Sequence, residues 1–252
     1  MALPRDMPDE QGFDSTARFY RYRIPYPPEL FVEFCARLGV DESTRVLDLC
    51  TGNGEIATAL ADHVGSVVGV DASSPMLAQA MQHPRVRYLL HDINSEALPE
   101  TLSQRDFGLL TIGRAIHWLA PDSLRRLVES SLAPGAGIAI LGAGWSGSTP
   151  WLGTYRALIH RYRSAPSPDF RGLEKLARLG AQRIEVIDVG RTVRCSLDHL
   201  VRHALSYSNS TQAILSDLAA FRAELASLLA PYVQSGMVTG SIVGWAEVHR
   251  MR

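Results

Sequence analysis

Between Arg45 and Leu141 the chain alternates short apolar runs with segments of helical spacing, and no other feature limits its fold as tightly. Arg45–Leu49 is a short apolar run that empties into Gly52-Asn53-Gly54. Ile56, Leu60 and Val64 then fall on one face of a helix starting at Glu55. Ser66–Asp71 is continuous and β-branched, as a strand buried on both faces should be. Ser74-Pro75 supplies a cap residue and a proline for the next helix start. Val86–Leu90, Phe107–Ile112 and Gly137–Leu141 read as further strands, with a helix over Pro121–Leu132 closed by Ala133-Pro134-Gly135. Strand and helix at this rhythm predict an α/β fold with a mostly parallel sheet and helices on both faces.

The flanks are different. Prolines 27 and 28 set a helix over Glu29–Leu38 that Gly39 ends. After Leu141 come glycines and the aromatics Trp145, Trp151, Tyr155 and Tyr162, then a loop over Ser164–Asp169. Arg183–Val193 is a candidate sixth strand and Gly240–Met251 a seventh, with helix between them across 197–233. No flexible stretch divides the chain, so residues 1–252 read as one domain. Its N-terminal segment 1–40 and insertions 146–181 and 197–237 are expected to form a lid over the active site.

Composition excludes more than it assigns. Hydrophobic residues make up 46% and charged residues 20%, ordinary for a globular enzyme, and the net charge is −1. The basic residues are arginines apart from Lys175, and they form no tract that would follow a phosphate backbone. A nucleic-acid partner is therefore not expected. No apolar run approaches the roughly 20 residues of a membrane helix, and the start lacks a secretory pattern, so a cytoplasmic location is expected. Cys35, Cys50 and Cys195 are scattered and odd in number, which favours neither a metal site nor a disulfide framework. Nothing in the sequence sets an oligomeric state.

The chemistry concentrates in Val46–Glu55, VLDLCTGNGE. A buried strand delivers this stretch to the carboxyl edge of the sheet, where open α/β folds bind ligands. Gly52 and Gly54 let the backbone turn sharply and approach a ligand, and the following helix turns its free N–H groups the same way. Asp71 ends the second strand 17 residues after Gly54, where a carboxylate can accept both hydroxyls of a ribose. Ser73 and Ser74 are better placed to cap the next helix, which frees Asp71 for that task. Asp92 closes the third strand in LLHDIN, so Asp48, Asp71 and Asp92 stand at three successive strand ends.

With these residues in place, the sequence resembles a class I S-adenosylmethionine-dependent methyltransferase of the branch that includes trans-aconitate methyltransferase. VLDLCTGNG is similar to the first glycine-rich motif, GVDASSPML to the second, and HDIN to the adenine-side motif. FGLLTIGRAIHWLAP resembles the fourth-strand motif, and LAPGAGIAI the entry to the fifth strand. RYRIPYPPELF near the start and LVRHALSYSNS with SGMVTG near the end resemble that branch more narrowly. The resemblance implies a Rossmann-like, seven-stranded sheet with a helical lid, S-adenosylmethionine as cofactor and a small-molecule methyl acceptor. It implies that Asp48, Gly52 and Gly54 hold the methionine portion. Asp71 would bind the ribose hydroxyls, Ala72 would pack on the adenine, and Asp92 and Ile93 would bind its edge. Gly113 and Arg114 would offer carbonyls to the cofactor's amino group, and Tyr20 and Arg23 would fold over it. Two positions depart from the pattern: Cys50 stands where similar loops have glycine, and Arg114 where they have glutamine.

Methyl transfer needs a general base only when the nucleophile loses a proton as it attacks. His117, after the fourth strand, is the one candidate; the alternative is a structural His-Trp corner with Trp118 as core. Tyr207 could orient a substrate or simply pack. Trp145, Trp151 and Tyr155 suit a planar acceptor but also suit plain core, and Arg156, Arg161 and Arg163 read better as a solvated helix face. Two rivals stand beside the enzyme reading. Gly52-x-Gly54-x-x-Ala57 with Asp71 also fits an NAD(P)-dependent dehydrogenase, although Arg171 precedes Lys175 where a Tyr-x-x-x-Lys pair would be needed. The other is a cofactor-binding, non-catalytic protein of the methyltransferase fold.

Overall fold

The computed structural model describes residues 16–164, 175–176 and 179–251; most of the loop expected at Ser164–Asp169 lies outside them. The chain divides into two compact units, one of residues 25–144, 168–191 and 242–252, the other of 1–24, 145–167 and 192–241.

The first unit is built on the sheet. Its strands are β1 (Arg45–Leu49), β2 (Ser66–Asp71), β3 (Val86–Leu90), β4 (Phe107–Gly113), β5 (Leu132–Trp145), β6 (Gln182–Ser196) and β8 (Met237–Arg250), in spatial order β3-β2-β1-β4-β5-β8-β6. The two-residue β7 (Val233–Gln234) pairs back on β8 outside that path. The strands from β3 to β5 are all parallel neighbours. Along β8 the direction reverses: Met251 donates to the Ala136 carbonyl while Trp245 lies against Gly142, so numbering falls on one strand as it rises on the other. This is the mostly parallel α/β sheet expected from the alternation and the Rossmann-like sheet implied by the resemblance; with β7 it counts eight strands where seven were implied.

Successive residues of the central strands serve opposite faces, as the pleat requires. Val46 and Leu109 join Leu30, Phe34 and Leu60 in a core under α2 (Pro28–Leu38) and α3 (Glu55–Ala61). Leu47, Leu49, Leu110 and Ile112 face the other way, onto Leu124, Leu127 and Val128 of α5 (Pro121–Ser131). Gly39 ends α2 in the left-handed conformation, at φ 66°.

The sixth and last strands, expected at Arg183–Val193 and Gly240–Met251, run over Gln182–Ser196 and Met237–Arg250, and two further boundaries differ for a local reason. Helix α3 stops at Ala61, short of Val64, because the chain must turn into β2; a Cβ on Gly65 would lie 2.6 Å from the Glu42 carbonyl oxygen. Ala133-Pro134-Gly135, expected to close a helix, lies within β5, where Leu132 already pairs with Phe107 and the register then shifts. Gly135 takes φ 74° at that irregularity, so proline and glycine here make a bulge.

The second unit is mainly helical: α1 (Ala17–Tyr20), α6 (Leu152–Arg161), α7 (Leu197–Leu205), α8 (Thr211–Ser216) and α9 (Leu218–Leu229). Trp151, Tyr155, Leu200, Phe221 and Leu225 are buried in it, so the aromatics around 145–155 are core. Trp145 and Trp151 meet edge to face at 4.7 Å, against Gly240. Arg161 pairs with Glu224 and Arg156 is exposed, in keeping with a solvated helix face.

A Cβ on Gly142 would come within 2.4 Å of the Trp245 ring. Gly142→Ala is expected to destabilise the protein by about 1–3 kcal/mol through overpacking, read from urea unfolding followed by tryptophan fluorescence.

Candidate functional site

Connections leave β1 toward β2 on one side while β4 lies on the other, so the switch in strand order falls beside the end of β1. Ligands of open α/β sheets bind at such a point. The chain leaving β1 there is residues 50–54, and three of them are left-handed: Cys50 at φ 56°, Gly52 at 59° and Gly54 at 79°. Glycine adopts this conformation freely, whereas a side chain costs roughly 1–2 kcal/mol, which explains why glycine is the usual occupant of the Cys50 position. Thr51 donates to the Val70 carbonyl and Gly54 to that of Thr51, at 3.0 and 2.9 Å. Gly54 must also be small, because a Cβ would lie 2.0 Å from the Tyr88 hydroxyl.

Parallel register sets Asp48 of β1 beside Thr111 of β4. Asp48 is 0% exposed, and its two oxygens accept from the hydroxyls of Thr51, at 2.6 Å, and Thr111, at 2.7 Å. It lies under the loop and fixes the loop's shape from below. Burial pushes its carboxyl up to about 6, against the opposing pull of the two threonine hydroxyls.

Asp71 is not left free by the serines. Ser73 does cap α4 (Ser74–Leu77), accepting from Met76 at 3.3 Å. Asp71, however, accepts the Gly52 N–H on one oxygen, at 2.7 Å, and the Ser73 N–H on the other, at 2.9 Å. Ala72, next to it, is exposed. Asp92 is engaged in the same manner, by the Asn94 N–H at 2.9 Å and the Ser95 hydroxyl at 2.7 Å. Ile93 is buried, and its carbonyl accepts from Arg126. Burial first, then the fields of Asp71, Asp48 and Asp92, hold the Cys50 thiol protonated. Asp48 and Asp71 thus both hold this loop, through Thr51 and Gly52, and Cys50 is not a thiolate nucleophile.

Gly113 ends β4 where a Cβ would meet Ile56 at 2.3 Å. Arg114 follows at φ 56°, its N–H on the Leu141 carbonyl at 2.9 Å. Its guanidinium lies 4.3 Å over the Tyr26 ring and 3.6 Å from the Glu55 carboxylate, which also accepts the Tyr26 N–H. His117 sits in the short 3-10 turn Ile116–Trp118 with its ring 4.8 Å from that of Trp118. Burial, then the charge of Lys175, lowers its pKa, which favours the neutral imidazole. Tyr20 and Arg23 belong to the helical unit. There the Arg23 guanidinium lies 4.0 Å over Tyr207 and 5.7 Å from Tyr20, and its buried Nε has no partner among the described residues.

Sequence reasoning overlooked Thr51, Thr111, Glu55, Tyr88 and Asn94, and used Lys175 only to reject a dehydrogenase. Thr111 did carry a signal, as the one hydroxyl inside the apolar run of β4. The contacts of Glu55 and Tyr88 depend on partners remote in sequence and left none.

Residues 46–134 match the family described as methyltransferase domain. That match covers about a third of the chain. Over 114 residues it is 32% identical to demethylmenaquinone methyltransferase of Lactiplantibacillus plantarum, covering 42% of this chain and 48% of that protein. It is 34% identical over 113 residues to trans-aconitate 2-methyltransferase of Variovorax paradoxus, covering 43% and 42%. The chain thus spans about half the length of curated relatives it matches. In fold, it resembles a provisionally assigned type II methyltransferase from Anaeromyxobacter dehalogenans, with a TM-score of 0.71 at 20% identity over 91% of this chain and 97% of the other. It also resembles the [4+2]-cyclase SpnF, at 0.55 and 17% over 94% of each.

S-adenosylmethionine is the cofactor that the sequence resemblance implies, and the loop fits it. The Asp71 carboxylate stands beside the exposed Ala72, and the buried Oδ1 of Asn53 has no hydrogen-bond partner among the described residues.

The raised carboxyl of Asp48 has a measurable consequence. Its pKa of about 6 in the folded chain exceeds the roughly 3.9 of an unfolded aspartate, so the protonated form favours folding. The contribution is complete below about pH 4 and is lost as pH rises through about 6. Relative to Asp48→Asn, wild type should lose on the order of 3 kcal/mol across that window, read from urea unfolding at a series of pH values.

Proposed function

We propose that the protein transfers a methyl group from S-adenosylmethionine to an oxygen, nitrogen or carbon nucleophile of a small-molecule acceptor by in-line displacement. The observation that carries this is the anchoring of a left-handed glycine loop by Asp48, through Thr51, and by Asp71, through Gly52, at the switch in strand order. Support for a small acceptor comes from the relatives, which are named for a demethylmenaquinone and for trans-aconitate.

The sulfonium supplies an activated methyl group, so the chain's own residues bind, orient and exclude water. Asp71 receives the ribose hydroxyls, and Ala72 lies against the adenine. Asp92 and Ile93 take the adenine edge. Gly52 and Gly54 let the main chain lie close to the methionine portion, and Asp48 acts through the loop it braces. Gly113 and Arg114 offer main-chain carbonyls to the amino group. His117, favoured in its neutral form, is in the state that can accept a proton from an ionising acceptor. A carboxylate acceptor would leave it idle.

A second reading is supported by the likeness to a [4+2]-cyclase: one fold hosts several chemistries, so the chain could bind the cofactor without methyl transfer. Calorimetry with S-adenosylhomocysteine and an assay for its release, run against panels of small acceptors, separate the two. Binding with turnover is expected; binding without turnover on any acceptor favours the second reading, and no binding defeats both. Asp71→Ala should weaken S-adenosylhomocysteine binding by about tenfold or more, since charged hydrogen bonds each contribute about 1.5–3 kcal/mol. A thermal shift with NAD instead of S-adenosylhomocysteine would restore the dehydrogenase.

A further inference from the structure

Lys175 is the only lysine in the chain. Its ammonium donates to the main-chain carbonyls of Ile116, His117 and Leu119, at 2.9, 3.3 and 2.5 Å. The carbonyl left out of that set, Trp118's, accepts from Asn94 Nδ2 at 3.0 Å, while Asn94 Oδ1 accepts the Ala120 N–H at 2.8 Å. Two remote side chains therefore receive four successive carbonyls of one short turn. Helical ends usually leave such carbonyls to water or to a following cap. Here they form a cradle that suits a cation, and the chain fills it with its own ammonium.

This arrangement is costly. It fixes a long, flexible side chain and takes its charge partly out of water. The desolvation is visible in the amine, which burial pushes below its ordinary range. The core beneath the turn does not require it, since Ile116 and Leu119 are already buried. What the turn also carries is the half-buried His117–Trp118 pair.

We propose that Lys175 and Asn94 form a two-sided clamp on the turn after β4, and that Lys175 is thereby a positioning residue for His117 in methyl transfer. The role in transfer rests on the function proposed above; the clamp does not. Arginine cannot substitute, because a planar guanidinium fork cannot aim three donors at one convergence of carbonyls.

The single lysine makes the test direct. In the native protein the Lys175 amine should be acylated about tenfold or more slowly than in the urea-unfolded chain, because it reacts only after local opening. Acylation at the unfolded rate overturns the clamp without any variant having to fold. In the NMR spectrum, with His117 identified through His117→Asn, Lys175→Met should raise the His117 titration midpoint and displace the Trp118 indole signal. Lys175→Arg returns the charge but should leave the Trp118 signal displaced. Unmoved His117 and Trp118 signals in Lys175→Met overturn the positioning role. Calorimetry of wild type with S-adenosylhomocysteine separates the two levels: no uptake removes the role in transfer, while amine protection still judges the clamp.

Discussion

A carboxylate with no solvent exposure, shared between the hydroxyls of Thr51 and Thr111, ties the loop after β1 to the neighbouring strand β4. The rest of the site is arranged around that tie. Thr51 in turn donates its N–H to β2, and Gly52 donates to Asp71 at the end of β2, so one buried acid links three strands' ends through a five-residue loop. An isolated charge so placed would be prohibitive, and the two hydroxyls with a raised pKa are what make the burial tolerable.

The alternation of β-branched runs with helical spacing made the sheet legible, because a parallel sheet covered on both faces needs continuous apolar strands. Its strands from β1 to β4 lie where that pattern put them. The boundaries that failed, at Ala61 and at Ala133–Gly135, failed because proline and glycine signal a break without saying which kind. A bulge within β5 and the end of a helix use the same residues.

In the site, position along the chain was legible and partnership was not. Asp71 was correctly located at a strand end, yet the reading that serines would release it missed the backbone donors of Gly52 and Ser73. Hydrogen bonds from main chain to side chain depend on loop dihedrals that residue identity does not encode. The clamp on residues 116–119 was invisible for a related reason, since Lys175 and Asn94 reach it from opposite sides in sequence. Cys50 and Arg114 looked like departures from a motif; both turn out to hold left-handed backbone, which accounts for the smaller residue usual at the first.

The way Asp71 is held also sorts nucleotides. While ionised, its two oxygens present only acceptor capacity, and main-chain donors already fix where that capacity points. A sugar bearing two neighbouring hydroxyls completes the arrangement, whereas one whose 2′ position carries a phosphate would press like charge against like. Dinucleotide folds that admit such a phosphate generally keep an arginine nearby. An ionised Asp71 at the end of β2 would thereby disfavour a phosphorylated reductant coenzyme if one were offered there.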